Sequence, residues 1–104
     1  MTITVAAHEF DGPFESTSDL KNRIGVYIIY KKKISDGKFI RKYVGYSENV
    51  RDRVEDPKHL KRDCWERETN NQPYYAVHYF SKEQQARDLE TELINEKNTP
   101  CNDT

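Results

Sequence analysis

The chain has 104 residues, 35% hydrophobic and 34% charged, with seven Tyr, four Phe and one Trp. That length allows one domain with one modest core, and the composition excludes a disordered chain. Net charge is −1, yet residues 21–62 hold thirteen Lys or Arg against five Asp or Glu, which predicts a cationic surface for a polyanion such as nucleic acid. No apolar run approaches the ~18 residues of a membrane span, and residues 1–7 lack the basic start and apolar centre of a signal peptide. Cys64 and Cys101 lie far apart and in no CxxC pair, so the expectation is no disulfide framework and a reducing, cytoplasmic setting.

Residues 1–22 read as an N-terminal extension. Gly12-Pro13 and Ser16-Thr17-Ser18 are loop signals, and Ser18 or Asp19 can cap a short turn. Val26 to Tyr30 is β-branched and aromatic throughout, the composition of a strand buried on both faces. Asp36-Gly37 is a turn signal, and Phe39 to Tyr46 returns as the antiparallel partner, with Lys31-Lys32-Lys33 at the hairpin tip. A first helix is expected from about Glu48, capped by Ser47 or Asn49 and carrying Val50 and Val54 at i, i+4. Asp56-Pro57 has the form of an N-cap and first helical residue, which predicts a second helix through Leu60 and Trp65. After the loop Asn70-Asn71-Gln72-Pro73, Tyr74 to Phe80 is a third strand. Ser81 with Gln84 forms a capping box for a last helix reaching about Lys97, and Pro100 ends it. The predicted order is β-β-α-α-β-α, an α+β domain with a three-stranded antiparallel sheet flanked by helices.

Several residues strain a purely structural reading. The last helix carries an apolar stripe of Ala86, Leu89, Leu93 and Ile94, and Glu90 lies inside it. A carboxylate on a core-facing stripe is costly unless it is paired or bound to a metal. Arg53 borders the apolar face of the first helix, three residues from Val50 and next to Val54. Two readings stand: Glu90 and Arg53 pair internally, or they face each other across a cleft as cation and phosphate holders. Gly25 and Gly45 sit two residues from Tyr27 and Tyr43, on opposite sides. Glycine inside a strand marks a bulge or a close approach to its surface. His59, Cys64, His78 and Cys101 match no common zinc spacing. Cys64-Trp65 is expected to pack the second helix onto the sheet, and His78 to be a satisfied sheet histidine.

Taken together these residues resemble the GIY-YIG nuclease superfamily. Gly25-Val26-Tyr27 and Tyr43-Val44-Gly45 match its two signatures, and "YSENVRDRV" matches the stretch that follows, with Arg53 ten residues past Tyr43. "ARDLETELI" matches the helix that carries the family's glutamate, at Glu90, and the late "TPCN" makes Asn102 the counterpart of its asparagine. The likeness covers residues 25 to 102, so the expected core is 23–102 within a single domain spanning 1–104. Three features depart from the pattern. Fifteen residues lie between Tyr27 and Tyr43, more than is usual, which fits a longer lysine-tipped hairpin. Tyr46 stands where many members have Lys, and Pro57 where others have His, with His59 close by.

The resemblance implies a metal-dependent DNA endonuclease. Glu90 would bind one Mg²⁺ or Mn²⁺, Arg53 would stabilise the phosphate, and Tyr43, assisted by Tyr27, would orient or deprotonate the attacking water. Gly25, Gly45, Tyr46, His59 and Asn102 would support the site, Asn102 by holding Glu90 or the last turn. Lys31, Lys32, Lys33, Arg41, Lys42, Arg51, Lys58, Lys61 and Arg62 would contact the DNA backbone, without sequence preference. With no appended DNA-reading domain expected, specificity would come from a protein partner, a homodimer or substrate shape. The rival readings are a non-catalytic nucleic-acid-binding module that keeps the fold, and a structural or protein-interaction domain.

Overall fold

The computed structural model, which describes residues 1–102, has five strands where the sequence predicts three. β1 (Thr2–Val5), β2 (His8–Phe14), β3 (Gly25–Lys32), β4 (Phe39–Ser47) and β5 (Tyr74–Tyr79) form one antiparallel sheet in the order β1-β2-β5-β3-β4. Helices α1 (Val50–Glu55), α2 (Arg62–Glu68) and α3 (Glu83–Glu96) complete an α+β architecture. The element order exceeds the predicted one by an N-terminal hairpin.

That hairpin corrects the reading of residues 1–22. β1 and β2 join through Ala6-Ala7, both at positive φ (50° and 65°), as a two-residue hairpin turn requires. Such turns are normally signalled by Asn or Gly, and two alanines carry no such signal. Gly12 and Pro13, loop signals in the sequence, are buried within β2 where its register with β5 shifts. Phe10, wholly buried, ties the hairpin into the core.

β3 is the central strand that its composition predicts, between β5 and β4 and buried from Gly25 to Tyr30. Val26 and Ile28, with Val44, Ala76 and Phe10, pack against Ala86, Leu89 and Leu93 of α3. Tyr27 and Ile29, with Tyr75 and Val77, pack on the other face against Val50 and Val54 of α1, Trp65 of α2, Leu20 and Cys101. Two-residue alternation sends one strand into both cores, and β4 is left as an edge.

The helix starts also differ from expectation. α1 begins at Val50, and Asn49 makes no side-chain cap. Its first amides are taken instead by the preceding loop: Val50 N–H by Arg23 O, Arg51 N–H by Lys21 O and Asp52 N–H by Asn22 Oδ1. α2 begins at Arg62 and not at Pro57, because Asp56 Oδ1 accepts from Lys58 N–H (2.8 Å) and turns the chain rather than capping a helix. α3 follows Lys82, so Ser81 stands one residue too early for the capping box, and Gln84 donates to Asp88 instead. The early short turn, Thr17–Asp19, is capped by Ser16 Oγ rather than by Ser18 or Asp19.

Cys64 and Cys101 correct another expectation, for they form a disulfide. They are 37 residues apart in sequence, but the fold brings their Cα atoms to 5.7 Å. The inference of a reducing setting from unpaired cysteines loses its basis. No helix among the described residues is long and apolar enough to cross a membrane.

Candidate active site

The cross-strand pairing of β3 and β4 sets Tyr27 opposite Gly45. A β-carbon at Gly45 would lie 2.5 Å from Tyr27 Oη, 2.8 Å from its Cε2 and closer still to Cζ, so the glycine makes room for that ring. The close approach that the sequence predicts is real, and the thing approaching is the partner tyrosine. Gly25 plays a similar part at the start of β3. A β-carbon there would meet His78 O at 2.9 Å and Val50 Cγ2 at 3.2 Å, which lets α1 begin directly against the sheet.

Tyr27, 1% exposed, hydrogen-bonds His59 Nε2 at 2.8 Å. His59 occupies the turn between α1 and α2 that replaces the predicted helix start, and it too is buried. Its Nδ1 accepts from Lys61 N–H (3.0 Å), so the ring proton of the neutral imidazole sits on Nε2 and is donated to Tyr27 Oη. Burial, with the Arg53 and Arg62 guanidinium groups adding to it, pushes the His59 pKa down to about 4. The imidazole is therefore neutral near pH 7 and acts on Tyr27 as a donor. The Tyr27 phenol is pushed up, by burial first and then by Tyr43.

Tyr43 lies in front of this pair. Its ring is 6.1 Å from that of Tyr27, 5.6 Å from His59 and 5.7 Å from Trp65. It is only partly buried, with the buried Tyr27 ring beside it. Burial and the charge of Glu90 raise its pKa, while the Tyr27 phenol and Arg53 pull it back. The more open phenol of the two is thus Tyr43, and Tyr27 and His59 form its backing.

Arg53 and Glu90 act on both phenols. Arg53 comes from α1, on the Tyr27 face of the sheet, and Glu90 from α3 on the other face. Both are part-buried, and neither makes an ion pair or a side-chain hydrogen bond among the described residues. The internal Arg53–Glu90 pair is thereby excluded. Burial pushes the Glu90 carboxyl up, against the pull of Arg87. A lone, underbonded carboxylate suits Mg²⁺, which takes one or two carboxylates and fills its shell with water. Among the described residues no group of three His, Cys, Asp or Glu is arranged around a metal, and with the cysteines bridged the zinc reading falls.

The remaining predicted residues divide. Lys31, Lys32 and Lys33 line an open cavity of about 520 Å³ with Asn70, Gln72 and Tyr74, and the Lys32 ammonium lies 5.9 Å from the Phe39 and Tyr74 rings. Lys58 is exposed, and Arg51 pairs with Glu55 on the surface of α1. Arg41, Lys42 and Arg62 are committed inside the fold. Arg41 donates to Leu93 O and meets Glu96 (3.4 Å), Lys42 meets Glu68 (3.3 Å), and Arg62 donates to Val54 O (2.9 Å) at the end of α1. These three charges already have partners within the fold. Asn102 bonds the main chain of Val44 in both directions, from Val44 N–H (2.9 Å) and to Val44 O (3.0 Å), and so holds β4 rather than Glu90. His78 Nδ1–H donates to Glu9 O (2.7 Å), as a satisfied sheet histidine.

Two residues escape the sequence reading. Arg87 lies 4.7 Å over the Tyr46 ring and pairs with Glu83, which sets a guanidinium beside Glu90. Its position three before Glu90 on one helix is the available signal. Trp65 reads from the sequence as packing alone, yet its indole is 4.6 Å from His59 and within ring contact of Tyr43.

A family model for the GIY-YIG catalytic domain matches residues 23–102. No curated protein and no solved structure matches the chain. With this family match spanning most of its length, the chain belongs to the GIY-YIG family of nucleases.

Proposed function

We propose that this chain is a metal-dependent DNA endonuclease that hydrolyses phosphodiester bonds. The observation that carries the reading is that Arg53 and Glu90, part-buried and in no ion pair among the described residues, both act on Tyr27 and Tyr43. Structural charges in this fold have partners, as Arg41, Lys42 and Arg62 do. Part-buried charges that make no ion pair and act on the same two phenols suit a ligand that brings its own charges.

Arg53 fits the phosphate, its planar guanidinium balancing the charge that builds on the non-bridging oxygens. His59 Nε2–H donates to Tyr27 Oη and fixes that phenol behind Tyr43, leaving the Tyr27 hydroxyl proton uncommitted to His59. The partly exposed Tyr43 hydroxyl offers its own proton and its lone pairs to the attacking water. Both phenols stay protonated near neutral pH in the free chain, since burial raises them. Tyr43 therefore acts as a water-orienting group; a base role would require it first to lose its own proton to solvent, which compensation of Glu90's charge favours. Glu90 would hold the divalent ion, Mg²⁺ or Mn²⁺, which when bound supplies positive charge to the phosphate and offsets the carboxylate that keeps Tyr43 protonated. The lysines at the hairpin tip and Lys58 would meet the flanking backbone, with specificity left to substrate shape, a second copy or a protein partner.

The test is cleavage of supercoiled and branched DNA with Mg²⁺ or Mn²⁺, by the parent and by Glu90→Gln, with DNA binding measured alongside. Cleavage by the parent and none by the variant at equal binding is the expected result. Binding without cleavage by either would make the chain a non-catalytic nucleic-acid-binding module.

A further inference from the structure

We propose that the Cys64–Cys101 disulfide, with the Thr99–Asn102 turn that it anchors, is a positioning clamp on Tyr43, and that the competence of the site depends on this bridge being oxidised. The activity arm of the argument rests on the nuclease reading above; the structural arm does not.

β4 is an edge strand, so every second main-chain group on it faces away from β3. The pairing with β3 is also irregular at this point: Ile29 faces Tyr43 and Tyr30 faces Arg41, which leaves Lys42 as the extra residue of a bulge. A strand that is bulged and open on one side does not by itself hold the residue beside the bulge. The chain end supplies what is missing. Cys101 N–H donates to Lys42 O (3.1 Å), and the Asn102 side chain closes both main-chain groups of Val44 (2.9 and 3.0 Å). The residues immediately before and after Tyr43 are thus bonded by one short turn. Asn102 is set in turn by its N–H to Thr99 O (3.1 Å) and by the Thr99 hydroxyl on its Oδ1. Pro100 at the second position of that turn fits its geometry.

The disulfide ties this turn to α2, a helix of 7 residues. Cys64 precedes Trp65, whose indole stands against the rings of Tyr43 and His59. One covalent bond therefore joins the element that grips the Tyr43 backbone to the element that packs its ring. Lys42 to Glu68 adds an ion pair between the same helix and the same bulge. Cys101 is wholly buried and Cys64 is partly exposed, so exchange enters at Cys64. A dithiol reductant attacks Cys64 Sγ as thiolate; the S–S bond breaks and its electron pair leaves on Cys101 Sγ, which takes a proton. The second thiol of the reductant then displaces Cys64 as thiolate, also protonated, and closes the reductant's own disulfide. Two electrons and two protons pass to the bridge, and the turn loses its tie to α2.

The experiment compares the intact chain oxidised, reduced by an excess of dithiothreitol, and reoxidised. Amide hydrogen exchange is read at Val44 and at Ile28 of the central strand, and steady-state DNA cleavage is read under the same conditions. Reduction is expected to lower Val44 protection by about tenfold or more while Ile28 stays protected. It should lower kcat by about a hundredfold, the scale for a catalytic group displaced by ~1 Å, with KM unchanged. Reoxidation should restore both. Asn102→Ala, with the bridge intact, should give the same Val44 exposure and the same kcat loss. Unchanged Val44 protection on reduction would overturn the clamp, as would two freely titrating thiols in the native oxidised chain. Loss of protection at Ile28 together with Val44 would also overturn it, since the bridge would then be a staple for the whole fold. An oxidised chain that cuts no DNA sinks the nuclease reading alone, and Val44 exchange still decides the clamp.

Discussion

Gly45→Ala tests the packing on which the site is built. The new β-carbon would stand 2.5 Å from Tyr27 Oη, where ordinary contact begins at 3.4 Å, so the ring must give by nearly an ångström. Tyr27 is 1% exposed and has no free space to take up. Overpacking of this kind costs about 1–3 kcal/mol. Moving the ring also breaks the 2.8 Å bond to His59 and leaves a buried polar group unpaired, a further ~1–3 kcal/mol. Alanine's advantage over glycine in a strand returns only ~0.5–1 kcal/mol. The net expectation is a destabilisation of about 3 kcal/mol. Equilibrium urea unfolding followed by Trp65 fluorescence measures it, and with a slope of about 1–3 kcal/mol/M the midpoint should fall by about 1 M or more. In a Tyr27→Phe background the hydroxyl is gone and the same substitution should cost less, by about 1 kcal/mol, which a double-mutant cycle reads as coupling. If Gly45→Ala lies within about 0.5 kcal/mol of the parent, or the two changes simply add, the steric account of the second signature's glycine is wrong.

Glu90→Gln should abolish metal-dependent cleavage while leaving thermal stability equal or raising it, because a part-buried carboxylate without a partner contributes nothing to the fold; a lowered Tm would mean that Glu90 is structural. Arg53→Ala should cut kcat by about 10²–10³-fold with little change in the urea midpoint, and a large drop in stability would contradict its having no internal partner. His59 has a folded pKa pushed below its ordinary 6.5 to about 4, so the unfolded chain binds the extra proton between those values. Its contribution to stability is present above about pH 6.5 and is lost as pH falls toward 4, by up to ~3 kcal/mol. His59→Gln, which does not titrate, should flatten the stability curve in that window, and parallel curves for parent and variant would refute the assignment. Replacing Lys31, Lys32 and Lys33 by Gln should reduce the slope of log affinity for DNA against log salt by about 0.9 for each phosphate no longer neutralised. An unchanged slope would remove the hairpin tip from the binding surface.

The central hairpin, the last helix and the candidate site residues were legible in the sequence, because each rests on local chemistry. Val26 to Tyr30 is apolar on both alternating sets and can only be a doubly buried strand. Glu90 interrupts an apolar stripe, and the Gly-Tyr spacings of the two signatures are short-range facts. Everything else waited on partners distant in the chain. The β1–β2 hairpin turns on two alanines at positive φ, a conformation that their side chains do not announce and that the pairing of β2 with β5 supports. Arg41, Lys42 and Arg62 carry the same charge in the sequence as Lys31 or Lys58. Only the approach of Glu96, Glu68 and the end of α1 turns them from surface cations into internal ones. Cys64 and Cys101 are unrelated until the chain end folds back along β4. His59 sits six residues past Arg53 in a turn, and its role appears only when the fold sets its Nε2 on Tyr27. Residue type reports what a side chain can do; which neighbour it does it with is a long-range property that only packing supplies.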